Sequence, residues 1–431
     1  RAITETMSAS GASIIEQGDL EALGEGVARF AAAQWHCKKN EDRVHVSGPI
    51  PGLCDAVVQL YDSHGGKLAG QYCVGNMVPA IEEAFFSSPG NAKFSNDREA
   101  LYNATNDTGF HPKLDIAITA AFEKIDVEVK RIDQSGTTAV VVLLKKHGPN
   151  GDVAVKCAWC GDSRAVMAKN FEYGAGGLVD LSSDHKPEVP SEQARIERHY
   201  KDIHGDNSFK SREAVGRRGD GNDGSPKGAS PGGTQRRGNL DVEVTIGHKD
   251  HHFDEDAGEG EDTFGEMKGP SRSKSAKGNG QDANSGSRIS YVGFYKDTKT
   301  GQALSKERVF SSSGESHGVS RSIGDRGAAR ACVATPDFKN TILSASGGGR
   351  IVIASDGVWD CYSSQKAMAT IKGVSKVDTA AKKMCVAARE KREYGGFSMD
   401  DISVIVVDVG KWKPSSGGEG KQPGGCSCVV Q

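Results

Sequence analysis

No uninterrupted run of about 18 apolar residues occurs in the 431-residue sequence, which leaves no segment suited to cross a membrane as a helix. Aromatic residues are scarce at 6%, and the formal net charge is only −3, so neither stacking rings nor a basic field points to nucleic acid. No HExxH motif and no second CxxC is present to build a zinc site of familiar spacing. The single CxxC, Cys157 and Cys160, falls in a segment that alternates like a strand, which sends its two thiols to opposite faces. No secretory hydrophobic segment stands at the start, and most of the ten cysteines lie inside apolar runs. A reduced, intracellular and cytoplasmic setting is the expectation.

What the sequence does hold is enough apolar residue, 36%, for one large core or two ordinary ones, and 55 glycines concentrated in the middle of the chain and its C-terminal tail. From Asp55 the pattern reads as a strand (DAVVQLYD), then helical stretches from Lys67 to Phe86 and from Pro112 to Asp133. Two β-rich runs follow, TTAVVVLLKK and DVAVKCAWCGDSRAVMA, separated by the turn HGPNGD, as neighbouring antiparallel strands would be. A helical segment from Ser191 to Tyr200 precedes an abrupt change: between 201 and 287 apolar periodicity fades and Gly, Ser, Asp, Arg and Lys dominate. That composition predicts a disordered insertion. Order resumes with RISYVGFY, the strand GGRIVIASDG, a helix from Asp378 to Arg392 and a last strand, ISVIVVDV. Hairpins mixed with helical pairs, without a βαβα alternation, predict an α+β layered sandwich of antiparallel sheets with helices outside. The expected organisation is an N-terminal extension (1–30), one catalytic domain (31–410) interrupted by the insertion, and a Gly/Ser-rich tail (411–431).

Several strands end in an aspartate followed by a small residue: Asp62 after DAVVQLY and Asp356 after RIVIAS. Singly, each is as readily a turn residue. Together with Asp42 in NEDR, Asp162 in CGDSR, Asp360 in SDGVWD and Asp400 in MDD, they form a set able to converge. Mg²⁺ and Mn²⁺ take oxygen ligands, and a pair of such ions suits phosphate-ester hydrolysis.

Taken in order, NEDR, YDSHGG, SGTTAVVV with AWCGDSRAV, SDHKPEVPSEQARIE, GVSRSIGD, IVIASDGVWD and DDISVIVV resemble the metal-dependent serine/threonine protein phosphatases of type 2C. The resemblance implies a four-layer αββα sandwich with two antiparallel sheets between helices. It implies two Mg²⁺ or Mn²⁺ ions per site, Asp62 bridging both, with the backbone carbonyl of Ser63 and the carboxylates of Asp356 and Asp400 completing the ligands. Glu41 and Asp42 would act through water, Asp162 would serve a third, weaker ion with Asp360 nearby, and His64 would be the general acid. Phosphoprotein substrates and a monomer are the implied partners and state. DHKP, EQARIE and SRSIGD are read as architecture, with Asp325 a buried hydrogen-bonding residue.

Two departures stand out. Ser63 occupies a position usually held by glycine, and would be strained by about 1 kcal/mol or more if φ there is positive. Cys37 stands where relatives often carry an arginine that grips the substrate phosphate; Lys38 and Lys39 are the adjacent cations, able to supply a point charge without the guanidinium fork. These departures leave two alternatives open, a phosphatase-like regulatory binding module with weak or no turnover, and a two-metal hydrolase of small phosphoesters.

Within the insertion, GHKDHHFDED gathers His248, His251, His252, Asp254 and Asp256, a composition able to bind a transition metal but, with no flanking elements to pre-organise it, read as solvated charge, and SRSKSAKGNG is a basic serine stretch open to phosphorylation. The chain ends in Cys428-Val429-Val430-Gln431, a C-a-a-X pattern that predicts farnesylation of Cys428, with Cys426 as a palmitoyl site. Those lipids would bring the protein to a membrane surface.

Overall fold

The computed structural model describes residues 11–88, 97–174, 176–204, 290–293, 308–311, 316–326 and 332–410. Two antiparallel sheets face each other. The first has six strands in the order Ser13–Asp19, Ala28–Trp35, Ile402–Val409, Gly349–Ala354, Arg164–Lys169 and Leu178–Asp180. The second has five: Asp337–Leu343, Asp152–Cys160, Ala139–His147, Ala56–Tyr61 and Arg43–Ser47. Central strands such as Ile402–Val409 (ISVIVVDV) are buried along their whole length, which β-branched residues favour when both faces are covered.

Strand alternation divides the apolar residues between layers. Val58 and Leu60 meet Ile351, Ile353, Ile405 and Val407 between the sheets, whereas Val57 and Tyr61 turn outward under the helices Leu68–Ser87 and Leu114–Ile132. The second of these helices buries Leu114, Ile118, Phe122, Ile125 and Val129 as one stripe. Val377–Tyr394 covers the outer face of the first sheet. The result is the expected α+β four-layer αββα sandwich. Cys157 packs between the sheets and Cys160 beneath the helices, so the CxxC thiols do face opposite ways.

Several boundaries differ from the sequence reading. The first sheet takes in Ser13–Asp19 and Ala28–Trp35, most of which had been set aside as an N-terminal extension, because Ala28–Trp35 pairs along its whole length with Ile402–Val409. DVAVKCAWCGDSRAVMA is two strands in different sheets, and Asp337–Leu343 and the short helix Arg98–Asn103 had not been foreseen. The helix foreseen to end at Tyr200 runs Pro190–His204, continuing into the stretch assigned to the insertion. The rest of that insertion and the tail with Cys426 and Cys428 lie outside the described residues. Among those described, no helix is long and apolar enough to cross a membrane.

Candidate functional site

Strands of both sheets end at one edge of the sandwich, and their acidic residues meet there. Asp62 follows Ala56–Tyr61 and is tied in place as its carbonyl accepts from Thr138 N–H at 2.8 Å. Asp162 sits at the corner where the chain leaves the second sheet after Cys160 and enters the first at Arg164. That corner requires Gly161, whose φ is +107° and whose missing Cβ would lie 2.6 Å from Thr138 Cβ. Asp356 opens the helical turn after Gly349–Ala354, and Asp400 precedes Ile402–Val409. The edge holds a cleft of about 500 Å³ lined by Asp62, Ser63, His64, Asp162, Asp356 and Asp400, with Lys39 at its side.

The carboxylates raise one another's affinity for protons. Asp62 and Asp356 are pushed well above the ordinary carboxylate range, first by burial and then by neighbouring acids, Asp42 foremost for Asp62 and Asp162 for Asp356. Asp42, 2% exposed, is pushed up to about 7 by burial against the opposing hydrogen bond from Ser403 Oγ at 2.7 Å. Asp356 Oδ1 is sealed from solvent and has no hydrogen-bond partner. A polar atom so placed costs about 1–3 kcal/mol unless a ligand meets it. Oxygen donors of this kind, crowded and under-neutralised, fit hard divalent cations.

Ser63 is buried in a two-residue bridge with Thr137, and it is absent from the residues with positive φ, so the strain considered for it does not arise. Its hydroxyl fills space left by Gly70, where an added Cβ would collide with Ser63 Oγ.

Two lysines near the cleft are engaged by its carboxylates. Lys39 Nζ lies 2.9 Å from Asp400 Oδ1, and this contact raises its pKa against the effect of burial. Lys38 is exposed and is not among the lining residues. Lys186 bridges Asp162 Oδ2 at 3.3 Å and Asp360 Oδ1 at 3.4 Å, so the carboxylates read as serving a third ion share an ammonium group. Asp401 organises the NEDR loop: its two oxygens accept from the backbone N–H groups of Cys37 at 2.7 Å and Glu41 at 2.6 Å.

His64, with its ring about a third exposed (35%), places Nε2 2.8 Å from both oxygens of Asp325. Burial alone would lower the His64 pKa, but the Asp325 charge and hydrogen bond outweigh it and the net shift is upward. Asp325 is 3% exposed at φ +56°, a strained position for a non-glycine residue that costs on the order of 1 kcal/mol. Its N–H donates to Ser135 O at 3.0 Å and its carboxylate accepts from Ser322 Oγ, which hold the strained turn.

Two residues that line the cleft, and one beside it, escaped the sequence reading. Arg308 and His317 carry no motif of their own and arrive from beyond the long insertion, while Asp401 lies within DDISVIVV but was given no role. For Asp401 the doubled acid in MDD was a usable signal. Apart from Lys186, the polar residues of DHKP, EQAR and SR join in a network outside the cleft lining: Glu192 accepts from Arg195, Arg321 and Ser320 Oγ, while Arg321 and His185 both reach Asp337.

The family profile described as protein phosphatase 2C matches residues 32–207 and 298–394. Among curated proteins, the chain is 36% identical over 163 residues to a probable protein phosphatase 2C of Caenorhabditis elegans, T23F11.1, covering 38% of each. It is 30% identical over 151 residues to probable protein phosphatase 2C 8 of Oryza sativa, covering 32% of each. The matched segments thus span about a third of the length of these relatives. Among solved structures, a serine-threonine phosphatase 2C from Toxoplasma gondii aligns over 88% of this chain and 95% of its own, with a TM-score of 0.52 and 17% identity, a likeness of fold.

Proposed function

The chain belongs to the protein phosphatase 2C family, and on that footing we propose that it hydrolyses phosphoserine and phosphothreonine esters on proteins with the help of two Mg²⁺ or Mn²⁺ ions. The observation that carries this reading is the convergence of Asp62, Asp356 and Asp400 in one cleft, with Asp356 Oδ1 buried and unpartnered. Asp62, Asp356, Asp400 and the carbonyl of Ser63 would hold the ions, Glu41 and Asp42 would act on water around them, and Asp162 would serve a third. Such ions polarise a phosphoryl oxygen and bring the pKa of water towards neutrality.

The chain's own residues account for the remaining work. His64 is the proton donor to the leaving alkoxide, a task suited to an imidazole whose charged form a neighbouring carboxylate favours. Asp325 holds the ring in one orientation through Nε2 and favours its charged form. For the substrate phosphate, Arg308 would supply the guanidinium absent at Cys37, since it lines the same cleft as the carboxylates. A guanidinium also offers the two-pronged contact that an ammonium lacks.

The test is release of phosphate from phosphoserine and phosphothreonine peptides in Mn²⁺ or Mg²⁺, by wild type, Asp62→Asn and Asp356→Asn. Turnover that requires the metal and both carboxylates supports the reading. Activity that survives EDTA and both substitutions would sink it, and a folded, metal-binding protein without turnover would favour the regulatory-module alternative.

A further inference from the structure

Besides the carboxylates, the cleft is lined by two imidazoles around one acid. His64 Nε2 lies 2.8 Å from Asp325 Oδ1, and His317 Nδ1 lies 3.7 Å from the same oxygen. The two rings are 5.8 Å apart, centre to centre, and one ligand atom from each of the three residues falls within 4.8 Å of the others. Ligands on the 2.0–2.2 Å bonds of tetrahedral zinc stand about 3.4 Å from one another. The two measured separations bracket that spacing.

The donor set is also chemically unlike the rest of the cleft. Imidazole nitrogen suits zinc and its neighbours, whereas carboxylate and carbonyl oxygen suit Mg²⁺ and Mn²⁺. Asp325 is aimed at both rings from a backbone held at φ +56°, with Gly136 opposite it lacking any room for a Cβ against the carboxylate. A strained residue fixed this firmly marks a functional position.

We propose that His64, His317 and Asp325 form a separate site for a zinc-type ion, and that filling it inhibits the enzyme by withdrawing His64 from proton transfer. Three protein ligands leave one tetrahedral position for water. An ion on Nε2 occupies the nitrogen that faces Asp325 and ties the ring to the cluster. Binding stands on the geometry alone; the inhibitory half rests on the phosphatase reading.

Cobalt is the probe. Protein in excess Mg²⁺, which keeps the carboxylates supplied, is titrated with Co²⁺; four-coordinate cobalt with nitrogen ligands absorbs strongly in the visible, six-coordinate oxygen-bound cobalt weakly. The expected result is a strong band saturating at one equivalent and displaced by ZnCl₂. It persists in Asp62→Asn/Asp356→Asn and is lost in both His317→Gln and His317→Ala, whose folding is checked by circular dichroism and thermal midpoint. Loss of even an outer partner costs about 10- to 100-fold in metal affinity, so the zinc concentration that halves turnover should rise at least about 10-fold in His317→Ala. A missing band, or one that survives both His317 substitutions, overturns the site. Equal zinc inhibition of wild type and His317→Ala overturns the inhibitory half. Absence of turnover in every metal removes the phosphatase reading and the inhibition with it, while the cobalt band still decides the site.

Discussion

Glu192 and Asp356 are both enclosed carboxylates in the same sandwich, and their surroundings treat them in opposite ways. Glu192, 2% exposed, is met by two guanidinium groups and a hydroxyl, which overcome burial and hold its pKa down at about 2. Asp356 is surrounded by other acids, keeps one oxygen unpartnered, and is pushed well up. A satisfied cluster stores stability in the protein itself. An unsatisfied one stores affinity for something else, which is why the cleft and not the Glu192 network reads as the reactive end of the fold.

The comparison breaks most sharply at Glu192. Glu192→Gln removes the one carboxylate that Arg195 and Arg321 share, leaving Arg321 the half-exposed Asp337, and should cost about 3–5 kcal/mol, measured by urea denaturation, with metal affinity unchanged by calorimetry. The pH dependence has a definite sign. Because the folded pKa is about 2 against an ordinary 4.5, the contribution of Glu192 is full above pH 4.5 and is lost as pH falls towards 2. For Asp356 the folded pKa lies above the ordinary 3.8, so in metal-free protein its charge destabilises at neutral pH, and that cost fades on acidification. Glu192→Gln should flatten the acid limb of the stability curve; Asp356→Asn should not.

Asp62→Asn or Asp356→Asn should lower metal-dependent turnover on the order of 10²- to 10³-fold while leaving the metal-free thermal midpoint equal or higher. A fall in that midpoint comparable to the Glu192→Gln effect would erase the distinction between the clusters. Next in size, Arg308→Ala should raise KM about 10- to 100-fold with kcat less affected, the loss expected of one charge-assisted phosphate contact. The smallest effect tests packing beneath the cleft. Gly70→Ala should cost about 1–3 kcal/mol by overpacking against Ser63, and less in a Ser63→Gly background, as a double-mutant cycle would read.

The layered fold was legible because burial on both faces writes itself into strands such as ISVIVVDV, and one-sided burial into the helix ending KRI at Ile132. Strand partners were not legible. Ser13–Asp19 looks polar because only part of it is covered, and Asp337–Leu343 pairs with Asp152–Cys160 across a gap in sequence of nearly two hundred residues that no local pattern spans. In the site, Asp62, Asp162, Asp356 and Asp400 could be chosen because strand-end aspartates stand out and the motifs run in order. Lys38 and Lys39 were singled out by adjacency to Cys37; Lys38 is exposed and not among the lining residues, whereas Lys39 lines the cleft beside Asp400. Asp325, read as a buried hydrogen-bonding residue, is one, and the partner that the sequence could not name is His64.

By itself the sequence determined which side chains carry charge, which runs must be buried, and the ordered motifs that identify the family. Tertiary structure alone decided which charges meet. It brought Asp325 and His317 to His64 and Arg308 to the cleft, and it gave Glu192 its cations while leaving Asp356 short of them. The reason is physical: secondary structure follows from interactions a few residues long, whereas a carboxylate's pKa and its use depend on groups within several ångströms, wherever in the chain they originate.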